Sequence, residues 1–186
     1  MGPAKFIVGI GGSAGGLRAY IALLDTLPPD TGMALVIVSH ILPTATSHLA
    51  NILSKRTEMK VTVASTGMSA QKNHVYVIPA NSDLLMDGDN FKVVIPRAAR
   101  NNQIDLFLTS LAEAREADAI GVILSGYHAD GTAGCRQIKA KGGTTFAQDR
   151  SADVSDMPQS AVASGYIDFV LSPQDIAHQL QRLATR

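Results

Sequence analysis

The chain has 186 residues, enough for one domain with a sizeable core, and its 46% hydrophobic and 17% charged residues are typical of a globular protein. Its 16 basic and 16 acidic residues leave no formal net charge, which argues against a nucleic-acid partner. The longest apolar run, 33–38, is too short to span a bilayer, and no secretory signal is recognisable. Cys135 has no second cysteine with which to form a disulfide. We therefore expect a cytoplasmic, single-domain protein.

The first predicted element is a buried strand that leads through a glycine-rich turn into a helix. Residues 6–10 are mainly apolar, residues 11–16 read Gly-Gly-Ser-Ala-Gly-Gly, and an amphipathic pattern begins at Leu17. Such a turn either cradles a phosphate on its backbone N–H groups or presents one side chain, here Ser13, at the end of a sheet. Residues 11–15 also fit the nucleophile-elbow pattern G-x-S-x-G.

Helices and strands alternate along the rest of the chain. Continuous apolar runs are typical of strands covered on both faces, and Asp-Gly between two apolar runs predicts a hairpin. The predicted strands cover 6–10, 33–38, 60–64, 74–79, 119–124, 144–147 and 168–171, the hairpin 84–95, and the helices 17–26, 47–55, 104–114, 131–141, 157–164 and 173–183. This order favours an α/β fold with a doubly wound, mostly parallel, Rossmann-like sheet, helices on both faces and an antiparallel β-hairpin.

Three polar side chains follow predicted strands at the edge where such a sheet forms its sites. Ligands bind outside the C-terminal ends of the strands, near the point where the strand order reverses. The first strand leads to Ser13, the second to His40, and the strand at 119–124 to Asp130. These residue types predict a triad in which Ser13 attacks a carbonyl, His40 takes its proton, and Asp130 orients the imidazole.

Each of these residues also has a simpler explanation. A serine in a glycine loop can serve the turn, a histidine can be the polar end of a strand, and Asp130 before a glycine and a helix is a good N-cap. His128 could replace His40 as the base, although we favour a role in lining the mouth of the site. Asp149 and Asp153 could replace Asp130, although a solvated loop is the favoured interpretation for both.

Nucleotide binding is the main alternative for the glycine-rich turn. Residues 9–14 satisfy G-x-G-x-x-A between a strand and a helix. A dinucleotide site also needs an acidic residue about 20 positions later, where this chain has none, and no Walker lysine follows the glycines. We therefore expect no cofactor. We also expect no metal, because three further histidines lack ligand spacing: His48, His74 and His178.

Six motifs along the chain together resemble one known family. They are Gly-Gly-Ser-Ala-Gly-Gly at 11–16, Ser-His at 39–40, His-Val-Tyr-Val-Ile-Pro at 74–79, Leu-Ser-Gly-x-x-x-Asp-Gly-Thr-x-Gly at 124–134, Ala-Gln-Asp at 147–149 and Met-Pro at 157–158. Over residues 8 to about 180 the chain resembles the catalytic domain of the chemotaxis-receptor methylesterases, the CheB family. The resemblance implies a serine hydrolase that removes methyl esters from glutamate side chains of chemoreceptors and often deamidates glutamine. It maps the family triad onto Ser13, His40 and Asp130.

The chain departs from the family pattern in three respects. Many members have threonine where this chain has Ala14, and methionine or threonine where it has Tyr127. The backbone N–H groups of Ala14 and Tyr127 are nevertheless predicted to serve the oxyanion. The better-known enzymes also carry a receiver domain, whereas residues 1–186 are expected to form one catalytic domain without it. In this the chain resembles members that stand alone or are fused to a methyltransferase.

The expected partners follow from the same resemblance. They are the methylated cytoplasmic helices of chemoreceptors or another glutamate-methylated protein, with a methyltransferase or a regulatory protein as a further partner. Nucleic acid and insertion into a membrane are not expected. The alternative to an enzyme is a non-catalytic binding or regulatory module that keeps the same fold and docks a partner.

Overall fold

Nine strands and six α-helices are present in the residues described by the computed structural model, which are 2–40, 48–98 and 100–185. The strands are β1 (Ile7–Gly12), β2 (Ala34–Ser39), β3 (Lys60–Val63), β4 (His74–Val77), β5 (Asp83–Asp87), β6 (Asn90–Val94), β7 (Ala119–Ile123), β8 (Thr144–Gln148) and β9 (Phe169–Leu171). The helices are α1 (Gly16–Thr26), α2 (Leu49–Ser54), α3 (Gln103–Arg115), α4 (Thr132–Ala140), α5 (Asp156–Ala163) and α6 (Pro173–Ala184). Within these ranges no helix is long and apolar enough to cross a membrane.

Seven of the strands form one parallel sheet in the order β3-β4-β2-β1-β7-β8-β9. From the central β1 the chain runs outward through β2 to one edge and later through β7 to the other. The strand order therefore reverses between β1 and β7, and the C-terminal ends of these strands form the crevice where such sheets bind ligands. The predicted doubly wound, mostly parallel sheet is confirmed.

Each face of the sheet has its own apolar core. On one face, α1, α2 and α6 pack over a cluster that includes Val8 and Leu35. On the other, α3, α4 and α5 pack over a cluster that includes Ile7 and Val36. Neighbouring residues of one strand thus point to opposite faces, and both faces are covered. This double burial explains why the central strands are continuous apolar runs rather than alternating ones.

The antiparallel hairpin forms a second, two-stranded sheet from β5 and β6. Gly88 in its turn has a φ of 58°, a conformation that glycine adopts without strain. Leu84, Met86 and Phe91 are buried in the same core as α3. The predicted hairpin is therefore confirmed, and it lies over α3 instead of extending an edge of the main sheet.

The ends of the predicted elements differ from the observed ones by one or two residues in most cases. The strand predicted at 74–79 ends at Val77, two residues before a proline that cannot donate to a neighbouring strand. The 3-10 turn Glu116–Asp118, which leads into β7, was not among the predicted elements. The predicted beginning of the second helix, Ser47, lies outside the described residues.

Candidate active site

Ser13 lies in the tight turn between β1 and α1. Its backbone N–H donates to the carbonyl of Ser125 at 2.9 Å, and its own carbonyl accepts from the N–H of Gly16 at 2.9 Å. Gly15 has a φ of 74°, and a Cβ at this position would lie 2.5 Å from Ser125 Oγ. Only glycine fits such a position without strain, so the turn is held close to the loop that follows β7.

Gly126 and Met157 form a wall beside Ser13. A Cβ added to Gly126 would lie 3.1 Å from Ser13 Cβ and 2.6 Å from Met157 Cε. The N–H of Met157 also donates to the carbonyl of Gly126 at 2.9 Å, and Met157 is fully buried. The first turn of α5 therefore packs directly behind the loop that faces Ser13.

His40 directly follows β2, in the position next to Ser13 along the sheet edge. Gly12 pairs with Ser39 in the parallel register, so the next residue of each strand leaves the sheet at the same level. The His40 Nε2 atom lies 2.6 Å from Asp130 Oδ2, and the two side chains are 8% and 0% exposed. Because Nε2 is turned to the carboxylate, Nδ1 is the ring nitrogen left to receive a proton.

Asp130 is a buried acceptor held by the N-terminus of α3. The backbone N–H of Ile104 donates to Oδ2 at 3.0 Å, and that of Asp105 donates to Oδ1 at 2.8 Å. Both oxygens therefore act as acceptors, and this arrangement suits a His40 tautomer that donates from Nε2. The N-cap residue of α4 is Gly131, which has no side chain with which to cap the helix, and Asp130 accepts from the N–H groups of α3 instead. The alternative in which Asp130 caps the helix that follows it is therefore wrong.

The Ser13 hydroxyl is the one member of the predicted triad that the described residues do not link to the others. Within 2–40, 48–98 and 100–185, no hydrogen bond joins it to His40. Bonds of this kind are often open in unliganded enzymes and close when substrate binds. The structure thus brings His40 onto Asp130 and places Ser13 at the adjacent strand end.

Two backbone N–H groups near Ser13 have no acceptor among the described residues. They belong to Ala14, in the turn, and to Tyr127, in the loop after β7. The Ala14 carbonyl accepts from Ser125 Oγ at 2.8 Å, which fixes the orientation of that peptide. These are the two groups that the sequence predicts for oxyanion binding, and both remain able to donate to a ligand.

The alternative acids and the alternative base do not take the places predicted for Asp130 and His40. Asp149 Oδ1 accepts from the backbone N–H of Ser151 at 3.0 Å, and Asp153 pairs with Arg18 at 3.1 Å. His128 is exposed, has a φ of 68°, and lines an open cavity of about 640 Å³ along α5. None of the three forms a hydrogen bond or an ion pair with His40 in the described part of the chain. Nor do the described residues include a cluster of His, Cys, Asp or Glu that could hold a metal ion.

Asp105 is a residue that the sequence reasoning missed. Its Oδ1 accepts from the backbone N–H groups of Gly131 at 2.9 Å and Gly134 at 2.7 Å. Burial raises the pKa of Asp105 above its ordinary value, and the neighbouring charge of Asp130 adds to the rise. An aspartate in the first turn of a helix is so common that the sequence carries no signal of this contact with a second helix.

Comparisons with known proteins identify the family. The sequence pattern that defines the CheB methylesterase family matches residues 8–180. The chain belongs to the CheB methylesterase family. A CheB relative from Leptospira interrogans is 36% identical over 178 residues, which cover 94% of this chain and 92% of the relative.

Two longer CheB relatives match over nearly the whole chain as well. The protein-glutamate methylesterase/protein-glutamine glutaminase of Geobacillus kaustophilus is 34% identical, and that of Thermotoga maritima is 33% identical. This chain spans 54% of the length of each. The crystal structure of the Thermotoga maritima CheB methylesterase catalytic domain has a TM-score of 0.87 and 30% identity, covering 98% of this chain and 100% of that one. The predicted resemblance and the expectation of a CheB-type enzyme are confirmed.

Proposed function

We propose that this chain is a serine esterase that hydrolyses methyl esters of glutamate side chains. The observation that carries the proposal is the buried 2.6 Å contact between His40 and Asp130 beside the Ser13 turn. Such a pair is what a weakly acidic hydroxyl needs to become a nucleophile. The names of the Geobacillus and Thermotoga relatives, protein-glutamate methylesterase/protein-glutamine glutaminase, support the same chemistry.

In the proposed reaction, Ser13 Oγ attacks the ester carbonyl while His40 Nδ1 takes the hydroxyl proton. The backbone N–H groups of Ala14 and Tyr127 donate to the oxyanion of the tetrahedral intermediate, and Asp130 stabilises the imidazolium. The intermediate collapses to an acyl-enzyme when His40 returns the proton to the leaving methoxide, which departs as methanol. Water activated by His40 then releases the glutamate carboxylate and restores Ser13.

The same site is proposed to deamidate glutamine, since attack on the amide carbonyl gives the same acyl-enzyme and releases ammonia.

The proposed partner is a methylated chemoreceptor helix or another glutamate-methylated protein, with a methyltransferase or regulatory protein as a further partner. Two exposed apolar side chains flank the Ser13 turn, Leu17 at 39% and Tyr127 at 54% exposure. They support contact with a helical segment rather than with a small, freely diffusing ester.

Replacing Ser13 by alanine tests the proposal. We expect methanol release from a methylated chemoreceptor fragment to fall by several orders of magnitude, as loss of a triad serine does, while the fold is kept. Ser54→Ala, an exposed serine at the end of α2, is the matched control and should leave turnover unchanged. Full activity of Ser13→Ala would show that the mechanism is wrong.

Labelling with a fluorophosphonate separates the esterase from a binding module. A wild-type chain that is labelled at Ser13, with no label on Ser13→Ala, supports an activated nucleophile. A wild-type chain that binds the methylated fragment, takes no label and releases no methanol would instead be a non-catalytic module.

A further inference from the structure

The N-termini of two helices meet at the carboxylate that contacts His40. Helices α3 and α4 run side by side on one face of the sheet, and each begins next to the other. Among the described residues, neither helix has a side-chain cap of its own, since Asn102 and Gly131 at the N-cap positions make no such bond. The first N–H groups of both helices therefore depend on acceptors from outside the helix.

Two aspartates satisfy these N–H groups in a reciprocal arrangement. Asp130, which precedes α4, accepts from Ile104 and Asp105 of α3 at 3.0 and 2.8 Å. Asp105, in the first turn of α3, accepts from Gly131 and Gly134 at 2.9 and 2.7 Å. The Asp130 carboxylate is thus held by the beginning of α3, and the Asp105 carboxylate is held by the beginning of α4.

We propose that Asp105 is a positioning residue for ester hydrolysis, which holds the Asp130 carboxylate on His40 by tying the start of α4 to the start of α3. The inference rests on the proposed function of the site. No hydrogen bond or ion pair between described residues joins Asp105 to His40, so Asp105 acts through Asp130. Its contribution is to fix the distance and angle of the bond between His40 Nε2 and Asp130 Oδ2.

The loop that carries Asp130 contains one backbone position that is strained for its residue type. His128, two residues before Asp130, has a φ of 68°, whereas the φ of 97° at Gly131 is one that glycine adopts without strain. Left-handed backbone persists only where the surroundings hold it in place. The hydrogen bond from the Gly131 N–H to Asp105 Oδ1 is the tie next to Asp130, and its loss would let the carboxylate move.

Steady-state kinetics on a methylated chemoreceptor fragment test this role. For Asp105→Ala we expect kcat to fall roughly 10- to 100-fold, because a displacement of about 1 Å in catalytic geometry can cost about 100-fold. KM should stay near the wild-type value, since the substrate surface is untouched. Asp105→Asn keeps an oxygen that can accept from both glycine N–H groups and should restore most of kcat. A folded Asp105→Ala variant with wild-type kcat, or an Asp105→Asn variant as slow as Asp105→Ala, would overturn the proposal.

A purely structural role is distinguished by a matched control. Asp168 also accepts a backbone N–H, that of Thr145 at 2.9 Å, but at the opposite end of the sheet, next to the beginning of β8 and β9. Asp168→Ala should lower Tm and leave kcat unchanged. If Asp105→Ala also lowers only Tm, Asp105 is a capping residue and the proposal is wrong.

Nuclear magnetic resonance of the His40 Nε2 proton gives a readout that needs no substrate. A proton held between imidazole and carboxylate resonates far downfield, and we expect this signal in the wild type and in Asp105→Asn. In Asp105→Ala it should be lost or shifted upfield. If the signal is unchanged, the positioning role fails even when the wild type is active. If the signal responds but the wild type releases no methanol, the proposed function fails and the positioning of Asp130 stands.

A second variant covers the outcome in which Asp105→Ala does not fold. Asp105→Glu keeps the charge and an acceptor but moves the carboxylate by one methylene, which should displace α4 relative to α3. We expect a folded protein with reduced kcat and a shifted His40 proton signal. Wild-type values for both would overturn the proposal.

Discussion

Asp130 illustrates how a carboxylate remains a useful charge after it is removed from water. Its side chain is fully buried, yet both oxygens accept hydrogen bonds, from His40 and from two backbone N–H groups of α3. Hydrogen bonds to a charged group contribute about 1.5–3 kcal/mol each, which offsets the loss of solvent. The positive end of the α3 dipole adds to this. In the proposed reaction, the carboxylate would balance the imidazolium formed when His40 takes the proton of Ser13.

The raised pKa of Asp105 predicts a pH-dependent difference between the wild type and Asp105→Asn. Burial lifts this pKa above the ordinary value of 3.8, so the folded state binds the proton more tightly than the unfolded state does. The stabilisation from protonated Asp105 is complete below about pH 3.8 and is lost as pH rises through the raised pKa. Tm of Asp105→Asn minus Tm of the wild type should therefore increase from pH 4 to pH 7. Thermal unfolding at several pH values measures it, and a constant or decreasing difference would contradict the expectation.

Individual site residues differ in how far the sequence could predict them. Ser13, His40 and Asp130 each follow a strand, and parallel strands end at one edge, so chain order was enough to predict that they lie at the same edge of the sheet. Asp105 lies on a helix whose start meets another helix, and that meeting depends on packing across the face of the sheet. The N-cap explanation for Asp130 failed for the same reason, because its acceptor oxygens face α3 and not the helix beside it in sequence.

At the scale of elements, the approach of α3 to the sheet depends on two glycines in β1. A Cβ at Gly9 would lie 2.5 Å from Leu108 Cδ2, and a Cβ at Gly11 would lie 2.5 Å from Ile104 Cγ2. Glycine inside a strand often marks such a close approach. The N–H of Ile104 donates to Asp130. The contact between Gly11 and Ile104 therefore determines how close to the sheet the beginning of α3 lies, and with it the position of this donor to the carboxylate.

Alanine substitution at these glycines should separate stability from turnover. Both Gly11→Ala and Gly9→Ala overpack the core, and each should lower the free energy of unfolding by about 1–3 kcal/mol. Gly11→Ala pushes on the end of α3 that binds Asp130 and should also reduce kcat by roughly tenfold or more. Gly9→Ala is the matched control, since it pushes on the middle of α3. Urea unfolding and methanol release measure the two effects, and equal loss of kcat in both variants would contradict this explanation.

Element types were predictable where one local signal dominated. The apolar run at 33–38 and the Asp-Gly at 87–88 gave a strand and a hairpin turn, as observed. The location of the hairpin was not predictable, because its buried Leu84 and Phe91 meet α3, which follows later in the chain. Local patterns determine the element, and distant side chains determine where it packs.

At the scale of the whole molecule, the site rests on the best-protected part of the sheet. All six residues of β1 are buried, whereas β3 and β9 at the edges are largely half-buried or exposed. Backbone hydrogen bonds in the interior open mainly through global unfolding, and those at edges open locally. The strands that carry Ser13 and His40 are therefore expected to be the most rigid.

Hydrogen exchange tests this expectation. Amide protons of β1, β2 and β7 should exchange most slowly, and those of β3 and β9 should exchange faster under native conditions. Mass spectrometry of peptides after timed labelling measures the difference. Edge strands that are as protected as β1 would contradict the assignment of rigidity to the centre of the sheet.

The 90-residue separation between His40 and Asp130 has a consequence during protein synthesis. Ribosomes add about 5–20 residues per second, so Asp130 joins the chain roughly 5–20 s after His40. During that interval β1 and β2 have already been made, whereas the Asp130 carboxylate and α4 have not. A nascent chain therefore carries its histidine with no carboxylate partner, and the two are joined only when the C-terminal half arrives. The pairing of His40 with Asp130 is therefore made long after the two central strands β1 and β2 have been synthesised.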